Sequence, residues 1–410
     1  METAAYARAR KRDLAAITGA AALTVPWIAL HNIPGFELPA EFVAAAAGLA
    51  ILGGAFLLSW AAELAERDIP QALAILFLAL LSVLPEYAVD MHFAWKAGKD
   101  PSYAPYAVAN MTGANRLLIG LGWAAVVLIS CWRARIDELV IDTRQRLEMR
   151  YLVWATLYSF LIPLKGTINL FDAVVLLALF LFYAADAMRS ESHDVELVGP
   201  AALIDREFRH AGRRFWAIGM FAFAAYAIFI SAEPFAESLV EVGRGRSIDE
   251  FLLVQWVAPL ASESPEFLIA ILFALRLRGS VGIGTLISSK VNQWTLLVGA
   301  IPIVYAISAG GWAGLPLDDR QTEELILTST QSLLATILIA DLRFSRRDAI
   351  LLALLFVGQF AFTSTHVRYL FIAFYLVIAV GLLIAGGSER RAMFFSLIWS
   401  RSKDAGGRSA

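Results

Sequence analysis

Residues 261–270 read ASESPEFLIA, which sets Glu263, Pro265 and Glu266 inside a long, largely apolar stretch. An interior proline removes one helix hydrogen bond and crowds the preceding turn, so it kinks or breaks a helix. A charged side chain at the centre of an apolar span costs roughly 3 kcal/mol on insertion scales. Chance does not easily place both together, and here they recur. Residues 81–95, LSVLPEYAVDMHFAW, carry Ser82, Pro85 and Glu86 in the same Ser-x-x-Pro-Glu order as Ser262, Pro265 and Glu266, 180 residues earlier. Upstream, AELAERD (62–68) answers AESLVEV (236–242); downstream, ANMTGANRLLIGLG (109–122) answers GIGTLISSKVNQWTLLVG (282–299).

The composition frames this repeat. Of 410 residues, 59% are hydrophobic and 17% charged, and mean hydropathy is +0.65. Apolar runs of helix length recur along the chain, as expected of an all-α polytopic membrane protein embedded in a lipid bilayer. Long Leu/Ala/Val/Phe runs lack the alternation of a membrane β-barrel. The net charge of −2 carries no nucleic-acid signature, and the single Cys131 excludes a disulfide framework. The histidines at 31, 92, 193, 210 and 366 form no metalloprotease motif, and no nucleophile–base pair is visible, so the chain does not read as an enzyme. No cofactor is expected. The basic start and the run Leu14–Leu30 read as an uncleaved first helix rather than a signal peptide.

Twelve spans are expected, centred near 22, 52, 82, 117, 158, 178, 225, 263, 295, 332, 355 and 377. With the N-terminus cytoplasmic, inside segments hold 25 Lys and Arg and outside segments 7. This asymmetry puts both termini in the cytoplasm. Two basic residues, Arg116 and Lys290, fall within spans. Five spans separate the two motif helices, so the copies have opposite orientation, the signature of an inverted-repeat transporter. The expected layout is a basic segment and flanking helix (1–38), a first repeat (39–187), a cytoplasmic loop (188–214), a second repeat (215–364), and a flanking helix with a basic tail (365–410). High Ala and Arg content points to a bacterial plasma membrane.

The motif chemistry suits a hard cation. Backbone carbonyls freed by proline are acceptable at membrane depth beside protein or a water-filled cavity. Glu86 and Glu266 add anionic oxygens, and Ser82 and Ser262 stand one turn earlier on the same face. Asn110, Asn115 and Ser289 supply further oxygens; taken singly, such residues also read as packing or interhelical hydrogen-bonding positions. Glu63, Glu66, Glu237 and Glu241 lie near span ends and read as vestibule charges. Asp90 is one turn from Glu86 while its counterpart is Ala270; it reads equally as an accessory ligand or a solvated edge.

These residues resemble the calcium/cation antiporter superfamily, the sodium/calcium exchangers and their relatives. That family carries a Gly-Thr-Ser-x-Pro-Glu motif in each of two repeats, followed by Gly-Asn-x-x-Gly-Ser-Asn in the next helix. Here the first stands as Leu81-Ser82-Val83-Leu84-Pro85-Glu86 and Ala261-Ser262-Glu263-Ser264-Pro265-Glu266. The second stands as Ala109-Asn110-Met111-Thr112-Gly113-Ala114-Asn115 and Gly284-Thr285-Leu286-Ile287-Ser288-Ser289-Lys290. The resemblance implies a five-plus-five inverted repeat core with one extra helix at each end. It also implies that Glu86 and Glu266 are the central cation ligands, with Ser82 and Ser262 replacing the family threonines.

The departures shape the expected activity. The family's sodium-binding serine is Val83 in one repeat and Glu263 in the other, Ala114 replaces a second serine, and Leu118 and Gln293 occupy a position of acids or amides. Lys290 replaces an asparagine, Arg116 follows Asn115, and the first repeat carries about five extra residues near 97–105. Sodium ligands are depleted while titratable groups are enriched. The expectation is therefore an alternating-access antiporter moving Ca²⁺ or Na⁺ against H⁺ or Na⁺, with protons favoured over sodium as the counter-ion. Inorganic cations and protons would be its partners. Lys290 has two readings, a static salt bridge to Glu263 or Glu266, or a lysine that surrenders its proton when a cation arrives. The first supports the alternative of a non-transporting membrane scaffold locked by that bridge. Arg116 keeps its charge and is structural or electrostatic.

Overall fold

The computed structural model describes residues 2–33, 38–67, 84–189, 197–361, 364–385 and 387–399. The chain forms two compact units. Unit 1 comprises Met1–Ala114, Thr167–Ile269 and Thr295–Gln321; unit 2 comprises Asn115–Gly166, Ala270–Trp294 and Thr322–Ala410.

The all-α expectation holds. In unit 1, α1 (Glu2–His31), α2 (Ala40–Glu66) and α9 (His210–Arg246) pack together, with the short α8 (Pro200–Glu207) beside them. Their close approach depends on small residues, as expected between apolar helices that lack a hydrophobic drive to associate. At Gly53 an added Cβ would lie 2.9 Å from the Leu23 side chain of α1. The α9 helix runs 37 residues, about 55 Å at the usual rise. It overreaches a ~30 Å hydrocarbon core, so its arginine-bearing ends, Arg213 and Arg214 at one and Arg244 and Arg246 at the other, extend to the polar zones. The second group in unit 1 is α3 (Leu84–Lys99), α7 (Leu170–Ala187) and α12 (Val298–Ala309). A capping box of Asn169 and Asp172 starts α7.

The helices that follow the two motifs share an irregularity. The α4 helix (Ala104–Leu117) passes through a π-helical segment, Leu118–Trp123, into α5 (Ala124–Ala134). The α11 helix (Gly279–Asn292) passes through another, Gln293–Leu297, into α12. Short π segments inside α-helices are rare and concentrate at functional sites.

In unit 2, α6 (Arg146–Ser159), α13 (Asp319–Leu338), α14 (Arg346–Ala361), α15 (Thr365–Ala385) and α16 (Gly387–Trp399) accompany α5 and α11. Two small antiparallel ribbons join loops. In unit 2, β1 (Glu138–Val140) pairs with β4 (Arg343–Ser345), with Leu139 opposite Phe344. In unit 1, β2 (Thr167–Ile168) pairs with β3 (Leu315–Pro316). Large apolar side chains lie bare along the helices, among them Phe229, Leu354 and Val377, a surface suited to lipid rather than water. Among the described residues, 8 helical stretches are long and apolar enough to cross a membrane. Of the other expected spans, α6 and α14 are short, α13 carries many polar residues, and the span near residue 82 begins outside the described residues.

Candidate cation site

Glu86 sits in the first turn of α3, buried, directly after Pro85. A proline is tolerated in a first turn, where its missing N–H leaves no gap in the ladder. Ser82 lies outside the described residues, as does the chain just before Leu84. One turn beyond Glu86, Asp90 is fully buried. The reading of Asp90 as a solvated edge is therefore overturned. Its Oδ1 accepts a hydrogen bond from the Asn110 amide at 2.9 Å, which fixes α3 to α4.

The second motif lies on α10 (Glu250–Leu275), and here the expected break does not occur. The helix runs unbroken through both Pro259 and Pro265. Each proline deletes only the hydrogen bond its own N–H would make, and the flanking rungs carry the helix across. What remains is local: Pro265 offers no N–H to the Ala261 carbonyl, nor Pro259 to that of Gln255. That second carbonyl faces Gly113 of α4, where an added Cβ would stand 2.7 Å from the Gln255 carbonyl carbon. Only glycine permits this approach. The Gln255 amide also donates to the Thr112 hydroxyl at 3.4 Å. Within unit 1, α4 thus binds α3 through Asn110 and α10 through Thr112 and Gly113. Ser262 is buried and donates to the Ala258 carbonyl at 3.2 Å, Glu263 is buried, and Glu266 is half-buried.

Unit 1 also answers the question of the vestibule acids. Glu237 of α9 accepts from His92 at 3.0 Å and from the Tyr103 hydroxyl at 2.6 Å, and it pairs with Lys96 at 3.2 Å. It joins α9 to the end of α3. Glu63 is half-buried and Glu241 exposed.

Unit 2 holds the two cations found within spans. Lys290, fully buried on α11, donates to the side-chain oxygen of Asn115 at 2.6 Å and to its backbone carbonyl at 3.3 Å. Its ammonium also lies 4.5 Å from the centre of the Trp294 ring, a cation–π contact. The Asn115 oxygen expected to serve a cation is thus held by a tethered one. Arg116 forms an ion pair with Glu324 of α13, both buried. Its backbone carbonyl accepts from Gln331 at 3.2 Å, and Gln331 in turn accepts from Gln359 at 3.2 Å. Beside it, Arg368 of α15 pairs with Glu323 at 2.9 Å. Arg368 reads in the sequence as a connecting-segment charge, yet it is buried. Ser289 is buried on α11 as well.

Among the described residues, no group of three or more His, Cys, Asp or Glu side chains is placed to hold a metal ion.

The sodium/calcium exchanger protein family model matches residues 40–187 and again residues 216–365. The chain belongs to this family. It falls within the calcium/cation antiporter superfamily, as a membrane cation exchanger fold. Among solved structures, it is similar to one described as the H⁺/Ca²⁺ exchanger CAX, at 44% identity, TM-score 0.89, with 95% of this chain and 98% of that one covered. The sodium-calcium exchanger NCX_Mj shares the fold at 17% identity and TM-score 0.52, with 77% and 96% covered. Native YfkE does so at 14% identity and TM-score 0.59, with 91% and 99% covered. No curated protein sequence matches the chain significantly.

Sequence reasoning on this exchanger missed the two ion pairs of α13. A signal was present: Gln321, Glu324, Thr328 and Gln331 recur at helical spacing along DRQTEELILTSTQSLLATIL, a polar stripe on a helix read only for its hydrophobicity.

Proposed function

We propose that this exchanger is a secondary active antiporter that moves Ca²⁺ against protons by alternating access, with Glu86 and Glu266 as its central ligands and Ser82, Ser262 and Asn110 as supporting oxygens. The observation that carries the reading is the likeness at 44% identity, over almost the whole chain, to a structure described as an H⁺/Ca²⁺ exchanger. The site chemistry points the same way. The family's sodium-binding serine is replaced by Val83 and Glu263, and Lys290 takes the Asn115 oxygen.

We read the core as five-plus-five inverted repeats within twelve spans. Two facts support this. One family model matches the chain twice. The π-helical segments begin at Leu118 and Gln293, which stand 175 residues apart in sequence, as Asn115 and Lys290 do. The five-residue offset from the 180 between Glu86 and Glu266 falls in one place: α3 runs to Lys99 and a 3₁₀ turn, Pro101–Tyr103, precedes α4, whereas α10 ends at Leu275 and α11 begins at Gly279. The insertion lies past the motif and leaves the site register intact. The basic-residue asymmetry supports a cytoplasmic location for both termini.

The test uses purified protein in liposomes with a pH-sensitive dye inside. Ca²⁺ added outside should move protons, and Glu86→Gln or Glu266→Gln should abolish the signal while the protein still folds. Full transport in both variants overturns the site. A signal with Na⁺ in place of Ca²⁺ changes the cargo. Calcium uptake driven only by a sodium gradient overturns proton coupling. Silence in every arm favours the non-transporting scaffold.

A further inference from the structure

The helix α16 (Gly387–Trp399) takes no part in the candidate cation site. It follows α15, the last of the apolar spans, after a single residue. Its 13 residues reach about 20 Å, too little to cross a hydrocarbon core of ~30 Å. Ile384, in the last turn of α15, is 73% exposed, so the apolar surface of that helix runs to its end and delivers α16 to the membrane boundary. One side of α16 is docked within unit 2. Phe394 and Leu397 are buried, the Ser396 hydroxyl accepts from Arg146 of α6 at 3.0 Å, and Arg390 pairs with Asp341 at 3.2 Å. The other side is bare. Arg391, Ala392, Phe395 and Trp399 recur there at helical spacing and are exposed, Phe395 at 45% and Trp399 at 82%.

We propose that the open side of α16 is a docking surface for anionic lipid, with Arg391 against a headgroup phosphate and Phe395 and Trp399 seated in the membrane interface beside it. Bound lipid then holds α16 against unit 2 from the membrane side. The surface does not depend on which cation is carried or on what it is exchanged for.

The composition of the open side selects this occupant. A helix turned to water carries polar residues on its free side, whereas a bare indole and phenyl ring call for an apolar medium. Hydrocarbon alone is excluded by Arg391, whose charge is costly there. The interface suits both, since aromatic rings settle at headgroup level and basic amphipathic helices lie in its plane. The sign of the charge points to anionic lipid. Arg390 is neutralised by Asp341, but among the described residues no carboxylate pairs with Arg391. Arg346 and Arg347, exposed at the start of α14 beyond Asp341, add positive charge, and the sequence after α16 continues with Arg401, Lys403 and Arg408 against Asp404. Basic clusters that adjoin a span attract anionic leaflets. A second copy of the chain fits poorly. The described open stripe carries no acid, so a symmetric contact through it would set Arg391 against its own counterpart. Docking also reaches further into unit 2. α16 packs on α6, and α6 packs on α11, where Gln145 lies so close to Gly284 that an added Cβ would stand 2.6 Å from its amide nitrogen. Fixing α16 therefore steadies a contact of α11, and stability reports on the lipid.

The experiment follows thermal unfolding of purified full-length protein in mixed micelles as phosphatidylglycerol replaces phosphatidylcholine of the same acyl chains. The parent should melt several degrees higher with phosphatidylglycerol, and the gain should shrink as salt is raised. Arg391→Gln should need about fivefold more phosphatidylglycerol for the same gain, the equivalent of ~1 kcal/mol per basic residue at an anionic surface. Arg391→Gln combined with Trp399→Ser should lose most of the gain, and Arg391→Lys should keep it. In phosphatidylcholine alone all variants should melt with the parent, because both side chains are exposed. Quenching of tryptophan fluorescence by lipids brominated near the headgroup gives the position: the parent should show a quenched component that Trp399→Phe lacks. A parent indifferent to phosphatidylglycerol, a double variant with an undiminished gain, or quenching unaltered by Trp399→Phe each overturns the proposal. An equal gain from inorganic phosphate overturns it in favour of a free anion. A parent dimer that the double variant dissolves, with no preference between the lipids, overturns it in favour of a second copy.

Discussion

Replacing Gly113 by alanine tests how the candidate site is assembled. The added Cβ would stand 2.7 Å from the Gln255 carbonyl carbon and 2.8 Å from the Gln255 Cγ, against an ordinary carbon–carbon contact of ~3.5 Å. The Gln255 carbonyl oxygen lies nearer still, so relief needs a separation of more than about 1 Å. The obstacle is backbone of α10, held by its helix ladder, and it cannot rotate aside as a side chain would. Overpacking of this kind costs about 1–3 kcal/mol, against which the helix propensity of alanine over glycine returns up to ~1 kcal/mol. The net expectation is destabilisation of about 1–2 kcal/mol. A shift of that size also stretches the Asn110–Asp90 hydrogen bond, now 2.9 Å and three residues away on the same helix, beyond useful length. Gly113→Ala should thus unfold at a temperature several degrees lower in detergent and lose most transport in liposomes. Gly219→Ala is the control, because nothing lies within 4 Å of its added Cβ. It should leave transport unchanged and stability equal or slightly raised. A Gly113→Ala protein with parental melting temperature and transport would refute the reasoning that α4 positions the site by this contact.

Two predictions concern charges away from that contact. Glu324→Gln leaves Arg116 buried without its carboxylate, and loss of one partner of a buried pair typically costs ~3–5 kcal/mol. Thermal unfolding should show this as a large fall, and Arg116→Met combined with Glu324→Leu should recover most of it; a single variant within error of the parent would sink the assignment. Glu148, in the first turn of α6, has one carboxylate oxygen buried without a hydrogen-bond partner. Burial, with Asp142 adding to it, pushes this carboxyl up to about 7. A carboxyl with a raised folded value contributes stability that is fully present below the ordinary carboxylate range and is lost as pH rises through about 7. Glu148→Gln escapes that loss, which amounts to about 3 kcal/mol at most. It should melt higher than the parent at pH ~8 and equally at pH ~4; an equal difference at both would refute the sign.

The sequence carried the helices and the motif positions because their signals are local. Apolar runs define spans, and a Pro-Glu dipeptide twice in such runs has few structural explanations. Whether Pro265 breaks its helix is not a local question. The proline removes one rung, and the strength of the remaining rungs in α10 decides the outcome, as the unbroken Glu250–Leu275 helix shows. Burial of Asp90 was equally out of reach, because its neighbour Asn110 lies 20 residues away and its solvent exposure depends on the α3–α4 packing. Arg368 was hidden by its place near the start of a span, where positive charge ordinarily snorkels to the interface. Its partner Glu323 turns it inward instead.

The buried acids of this exchanger divide by the kind of partner they have. Glu323 and Glu324 face arginines. An arginine keeps its charge at any working pH, so these carboxylates are neutralised permanently and have no need of a proton or a metal ion. Asp90 faces an amide, which orients it without supplying an opposite charge. The same residue chemistry is thereby tied to a fixed cation in one case and only to an amide in the other. The two should separate under neutralising substitution. Glu324→Gln exposes a fixed buried cation and lowers stability, whereas Asp90→Asn leaves no buried cation behind and should hold or raise stability. If both variants lost stability alike, Asp90 would have a permanent cationic partner and the division by partner type would fail.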